Sequence, residues 1–159
     1  MPRVNQNGRA ILDVYVAGRT HDIVNVRRVQ NMCRAVGWNI TFDWTTTKEE
    51  GGEGGIRRDW RDEPELAREI AVKEYHACRS ADLGIWLWGE GALGAAFESA
   101  WVMESGELWV VGCERDSIFF YLHDGIRRFT NVLEVFAEIR MRDHDLNSPT
   151  TQIVRAPSV

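Results

Sequence analysis

Apolar residues in this chain switch repeatedly between short continuous runs and helical spacing. The run "ILDVYVA" (11–17) is β-branched and aromatic and predicts a strand ending at Gly18. From His21 to Val36, the residues Ile23, Val26, Val29, Met32, Cys33 and Val36 recur on one helical face, and Gly37 ends that helix. "WNITFDW" (38–44) predicts a second strand, and a helix over 65–80 follows with Leu66, Ile70, Ala71, Ala77 and Cys78 inward. "DLGIWLWG" (82–89) is apolar at consecutive positions, as in a strand covered on both faces. Residues 94–105 predict a helix stopped by Gly106, and "ELWVVG" (107–112) a fourth strand. "IRRF" (126–129) predicts a short fifth strand, and 130–143 a last helix with Thr130 as its N-cap. Residues 1–10 are polar and read as mobile, and 117–122 fit neither period.

Strands alternating with helices imply a parallel sheet covered on both faces. Right-handed crossovers then favour a flavodoxin-like (Rossmann-like) three-layer α/β sandwich with a five-stranded parallel sheet. The length of 159 residues suits one such domain. It is expected over 1–143, with a flexible tail over 144–159 that contains Pro149 and Pro157. Residues 45–63 interrupt the pattern with four glycines and many charges. A loop of that length is either a functional lid or a solvated segment.

Composition narrows the class further. At 44% hydrophobic and 27% charged, the chain is neither disordered nor fibrous. Nineteen basic against 24 acidic residues give a net charge of −5, which argues against a nucleic-acid partner. A small anionic ligand stays compatible, because one loop can bind it. Cys33, Cys78 and Cys113 form no C-x-x-C pair and read as reduced thiols, not as a zinc or redox site. A polar N-terminus and the lack of any run near ~20 apolar residues predict a cytoplasmic protein with no membrane association.

Ligands of open α/β sheets bind beyond the carboxyl ends of the strands. Gly18, Arg19, Thr20 and His21 follow the first strand, and Asp43 and Trp44 close the second. Trp88 and the turn Gly89–Gly94 follow the third. In that turn Gly91 and Gly94 let the backbone come close to a ligand, and the next helix aims free N–H groups at the same place. Glu98, one turn into the helix, is read either as an ionised carboxylate serving as nucleophile or cation stabiliser, or as a solvated helix-start glutamate. Arg19 is either a phosphate partner or a surface arginine. Trp44 and Trp88 either stack on a heterocycle or cap the sheet. Tyr15 points either into the core or toward the site.

Four blocks together resemble the nucleoside 2-deoxyribosyltransferase-like superfamily, which includes nucleotide N-glycoside hydrolases. They are "VYVAGRT" (14–20), "GWNITFDW" (37–44), "CRSADLGIWLW" (78–88) and "GALGAAFESA" (91–100). The resemblance covers most of residues 12–112, in order. It implies a glutamate nucleophile at Glu98, four residues after Gly94, and a sugar or phosphate beside Ala17 and Gly18. It further implies that Glu74 orients the ligand, that Asp82 is structural, and that the chain forms a homodimer or higher oligomer with sites near subunit interfaces. The chain departs from the family at Ala92 and Leu93, where acids or a serine are usual, and at Ser99-Ala100, where a glycine is usual.

The expected reaction cleaves the N-glycosidic bond of a (deoxy)nucleoside or nucleoside 5′-monophosphate. A carboxylate stabilises or traps the positive sugar, which passes to another base or to water. No metal or organic cofactor is needed. Asp43, Glu74 and His21 are the candidates for protonating the leaving base. The alternatives are a nucleotide-binding module without turnover and a glycohydrolase of an NAD-type dinucleotide.

Overall fold

The structure, a computed structural model, describes residues 3–47 and 59–148. Most of the glycine-rich 45–63 segment and residues 149–159 of the expected tail lie outside the described residues. The strands are β1 (Arg3–Val4), β2 (Ala10–Ile11), β3 (Asp13–Ala17), β4 (Asn39–Ile40), β5 (Leu83–Leu87), β6 (Glu107–Val111) and β7 (Ile126–Phe129). The helices are α1 (Ile23–Ala35), α2 (Pro64–Arg79), α3 (Leu93–Met103) and α4 (Val132–Asn147). None of the described helices is long and apolar enough to cross a membrane.

Strands β3 to β7 form one parallel sheet in the order β4-β3-β5-β6-β7. This is the flavodoxin-like arrangement, and the chain is an α/β three-layer sandwich. Helices α1 and α4 pack together on one face, and α2 and α3 on the other. The register Val16↔Ile85↔Trp109 stacks fully buried side chains across the sheet centre. Val14 and Val16 of β3 and Val26, Val29 and Cys33 of α1 are likewise sealed from solvent. Burial there pushes the Cys33 thiol up to about 12.

Three details at the two ends of the fold differ from the sequence reading. Residues 3–11 are ordered as an antiparallel hairpin, β1–β2. The Asn5 side-chain oxygen accepts the backbone N–H of Asn7 and Arg9 and so closes its turn. The hairpin is tied to α4 by the Arg9–Asp143 ion pair and by the Ala10 N–H donating to Asn147 Oδ1 at 2.8 Å. Those contacts accompany a second difference, the continuation of α4 past residue 143 to Asn147.

The third difference is the cap of α4, which is Asn131 and not Thr130. Asn131 has extended backbone, and its side chain accepts from Leu133 N (2.9 Å) and Glu134 N (3.2 Å). The Glu134 carboxylate reaches back to the Thr130 N–H at 2.7 Å. Asn131→Ala leaves those donors unpaired and is expected to cost about 1 kcal/mol, read as a lower urea midpoint at unchanged slope. Thr130→Ala, which removes no cap, should leave the midpoint nearly unmoved.

Candidate active site

The order β4-β3-β5 makes the gap between β3 and β5 a topological switch point. From β3 the chain runs outward to β4 on one face, and from β4 it returns over β3 to β5 on the other. Loops leaving the carboxyl ends of β3 and β5 therefore diverge and leave a crevice. A cleft of about 860 Å³ lies there. This is within the size range of small-molecule sites.

Each wall comes from an identifiable piece of sequence. The end of β3 and the short 3-10 turn after it supply Gly18, Arg19, Thr20 and His21. Trp44 enters from the turn after β4, and Trp60 from the turn before α2. Helix α2 contributes Ile70 and Glu74 at i, i+4, with Ala67 and Ala71 beside them. The glycine turn after β5 contributes Gly91 to Gly94, and α3 contributes Ala95 and Glu98. Gly91 has φ +75°, a left-handed conformation that suits glycine and turns the chain into α3.

Two carboxylates, Glu74 and Glu98, thus line one cleft from two packed helices. Tyr15 is buried in β3, and its hydroxyl donates to Glu74 Oε1 at 3.3 Å. Cys78, one turn after Glu74, lies behind both acids. Burial pushes its thiol well up, and the charges of Glu98 and Glu74 push the same way. Helix α3 begins at Leu93, so Glu98 is past its first turn, which holds no acidic residue. The helix-start argument for Glu98 therefore loses force, because the dipole acts mainly within the first turn. Its position on the cleft rests instead on side-chain direction. The carboxylate lies back over Gly94, with Oε1 3.7 Å from where a Cβ on Gly94 would be.

Arg19 is held by close approach. Its aliphatic stem crosses Gly89, where a Cβ would come within 2.1 Å of Arg19 Cδ. Any larger residue at 89 must displace the arginine. Trp44 is fixed by its indole N–H donating to the Val16 carbonyl at 2.9 Å.

Tyr15, Asp43 and Trp88 are not among the residues lining the cleft. The expected strand over 38–44 pairs only at Asn39–Ile40, and the chain then enters a 3-10 turn at Trp44–Thr46. In that turn the Asp43 carboxylate pairs with Arg34 (2.6 Å) and accepts from Thr45 Oγ1 (2.6 Å). Burial raises the acid's pKa, but the Thr45 and Arg34 contacts outweigh it and hold the carboxyl below its ordinary value. That stabilisation is present at neutral pH and is lost as pH falls through the lowered folded-state value. Trp88 continues the β5–β6 ladder through its N–H to Val111 O (2.9 Å), and its ring packs 5.0 Å from Trp86. Ile70 and Ala71 were not singled out as site residues by the sequence, and Trp60 entered only as part of the candidate lid over 45–63. The usable signal for Trp60 is its place just before Pro64, the first residue of α2.

Among the described residues no group of three or more His, Cys, Asp or Glu side chains is arranged to hold a metal ion. No protein-family model matches this chain, and no curated protein sequence matches it. Among solved structures, the chain is similar to the CMP N-glycosidase BcmB of Clostridium botulinum. The TM-score is 0.50 at 11% identity, over 79% of this chain and 98% of that one. At that identity the likeness is one of fold.

Proposed function

We propose that this chain cleaves the N-glycosidic bond of a nucleoside or nucleoside 5′-monophosphate. The observation that carries the reading is the pair of carboxylates, Glu98 and Glu74, on one cleft at the switch point, with Trp44 and Trp60 on its walls. The similarity in fold to a CMP N-glycosidase supports the same chemistry. Two indoles suit a flat heterocycle, and a carboxylate suits the positive charge that develops on the sugar.

In the proposed step the bond from the anomeric carbon to the base nitrogen breaks, and its electron pair leaves with the base. Glu98 forms the new bond to the anomeric carbon, or stabilises the cation in place. Glu74, oriented by the Tyr15 hydroxyl, or His21 delivers a proton to the departing base. Water or a second base then takes the sugar and frees Glu98.

The deciding experiment incubates the chain with nucleosides, 5′-monophosphates and NAD, each with and without a second free base. Release of base alone identifies a hydrolase, and exchange identifies a transferase. Saturable binding of a nucleotide with no product would overturn the enzyme reading and leave a binding module.

Arg19 is the proposed partner of the 5′-phosphate. Arg19→Ala is expected to raise KM for the monophosphate about 10- to 100-fold, with little change for the nucleoside. Gly89→Ala should act in the same direction, because its methyl group displaces the arginine stem. An equal loss with both substrates would remove Arg19 from the phosphate.

A further inference from the structure

Asp43 does not reach the cleft, but the next residue does. Trp44 lines the cleft while being only 4% exposed, so a small part of its ring forms the wall and the rest is buried. The turn that carries it, residues 43–47, uses every polar side chain it has. Thr45 donates its hydroxyl to Asp43 Oδ1 at 2.6 Å, Thr46 to the Asp43 carbonyl at 2.9 Å, and Thr47 to the Trp44 carbonyl at 2.6 Å. Helix α1 closes on this turn from outside the cleft. Arg27 donates through Nε to Thr45 Oγ1 at 3.1 Å and through a terminal nitrogen to the Thr45 carbonyl at 3.0 Å. Arg34, two turns further along, holds Asp43 at 2.6 Å. Gln30 stands between the two arginines on the same face of α1, and both Gln30 and Thr45 are fully buried.

We propose that Arg27, Thr45 and Asp43 are positioning residues of the candidate site: from behind the cleft wall they set where the Trp44 ring stands. Buried polar groups are costly unless each finds a partner, and when they do they fix one geometry. Here the partners converge on Asp43 and Thr45, the two residues that flank Trp44 in the chain. The indole N–H is held separately, on the Val16 carbonyl of β3. The ring is thus fixed from the sheet side and its backbone from the helix side. Arginine suits the second task, because its fork reaches the hydroxyl and the carbonyl of one residue at once, which a lysine cannot do. The same arrangement gives Asp43 a part in the site. It stands at the end of a strand-like run, meets no ligand itself, and acts through its neighbour. The contact of Trp44 with a heterocycle rests on the reaction proposed above; the placing of its ring by the turn does not.

Fluorine NMR of the full chain labelled with 5-fluorotryptophan reads the ring directly. Seven tryptophans give seven resonances, and Trp44→Phe identifies the one concerned. Arg27→Met keeps the aliphatic stem and removes the fork. It is expected to shift or broaden the Trp44 resonance and to leave that of Trp109, in the middle of β6, in place. Thr45→Val keeps the shape and removes the hydroxyl; it should do the same, and it keeps the test open if Arg27→Met does not fold. Arg27→Lys should fall between Arg27→Met and the unaltered chain. Ligand binding is read with CMP as the probe. Arg27→Met is expected to weaken it about tenfold, the scale of one aromatic contact, and to weaken it no further in a Trp44→Ala background. A Trp44 resonance unmoved in both Arg27→Met and Thr45→Val would overturn the proposal. So would an undiminished loss of binding when Arg27→Met is added to Trp44→Ala, because Arg27 would then act by another route. A moved resonance in a chain that binds no CMP upholds the placing of Trp44 and counts against the reaction proposed above.

Discussion

Replacing Glu98 by alanine is expected to abolish base release, lowering kcat/KM by about a thousandfold or more. The size follows from the proposed role. In that role Glu98 would meet the anomeric carbon, and its charge would act only as the sugar becomes positive. An interaction made chiefly in the transition state is lost from kcat and kcat/KM together. Glu98 is half-buried on the cleft wall, so the melting temperature should change little. Glu98→Gln keeps the shape and removes the charge, and it should be nearly as inactive. If the carboxylate is a true nucleophile, denaturing mass spectrometry of the wild-type chain with a slow substrate should show the added mass of one sugar, absent from both variants. Glu74→Gln is the instructive contrast. Loss of a proton donor should cost about a hundredfold and change the pH profile, because a good leaving base departs without help. A Glu98→Ala chain that still releases base at the wild-type rate would dismiss the nucleophile.

Trp109→Ala should be the most damaging single change to stability, by about 3–5 kcal/mol. Trp109 lies in the middle of β6 and is 0% exposed. Its ring meets Phe129 of β7 at 5.2 Å, and the Arg127 guanidinium lies 5.6 Å from its centre. That arginine is held in turn by Glu138 of α4 at 2.5 Å. Removing the indole therefore opens a cavity between sheet and helix and takes away the surface on which an ion pair rests. For a chain of this length the melting temperature should fall by about 10 °C. Trp109→Phe keeps an aromatic contact and also removes an indole N–H that has no hydrogen-bond partner in the described structure, so it should cost much less. Equal losses from both changes would mean that the packing account is wrong.

The sheet order was within reach of periodicity because the strands are buried on both faces and the helices on one. Runs such as 83–87 and 107–111 then stand out against the spacing of α1 and α2. The placing of chemistry at strand ends followed from that order. Glu98 was pointed to by the glycine turn before it and by the resemblance, while the helix-start argument did not hold, because Glu98 lies past the first turn of α3. Glu74 was suggested by the resemblance; nothing in its local sequence separates it from Glu69, which faces solvent and pairs with Lys73 at 2.7 Å. Asp43 looked equally suited in sequence, standing at the end of a strand-like run. It is drawn to Arg34 because α1 returns beside β4 and brings a guanidinium within reach.

By itself, then, the sequence determined the type and order of the sheet and helix elements, since each is set by local spacing of apolar residues and by its stop signals. It also singled out the glycine turn and Glu98. Only the tertiary structure decided that Glu74 and Trp60 line the cleft while Asp43 and Trp88 do not. It also decided that the first residues form a hairpin against α4 and that Arg27 of α1 meets the turn that carries Trp44. The reason is the same in each case. These outcomes depend on which distant segments are brought together, and a side chain's partners across the fold leave no mark in the spacing of its own neighbours.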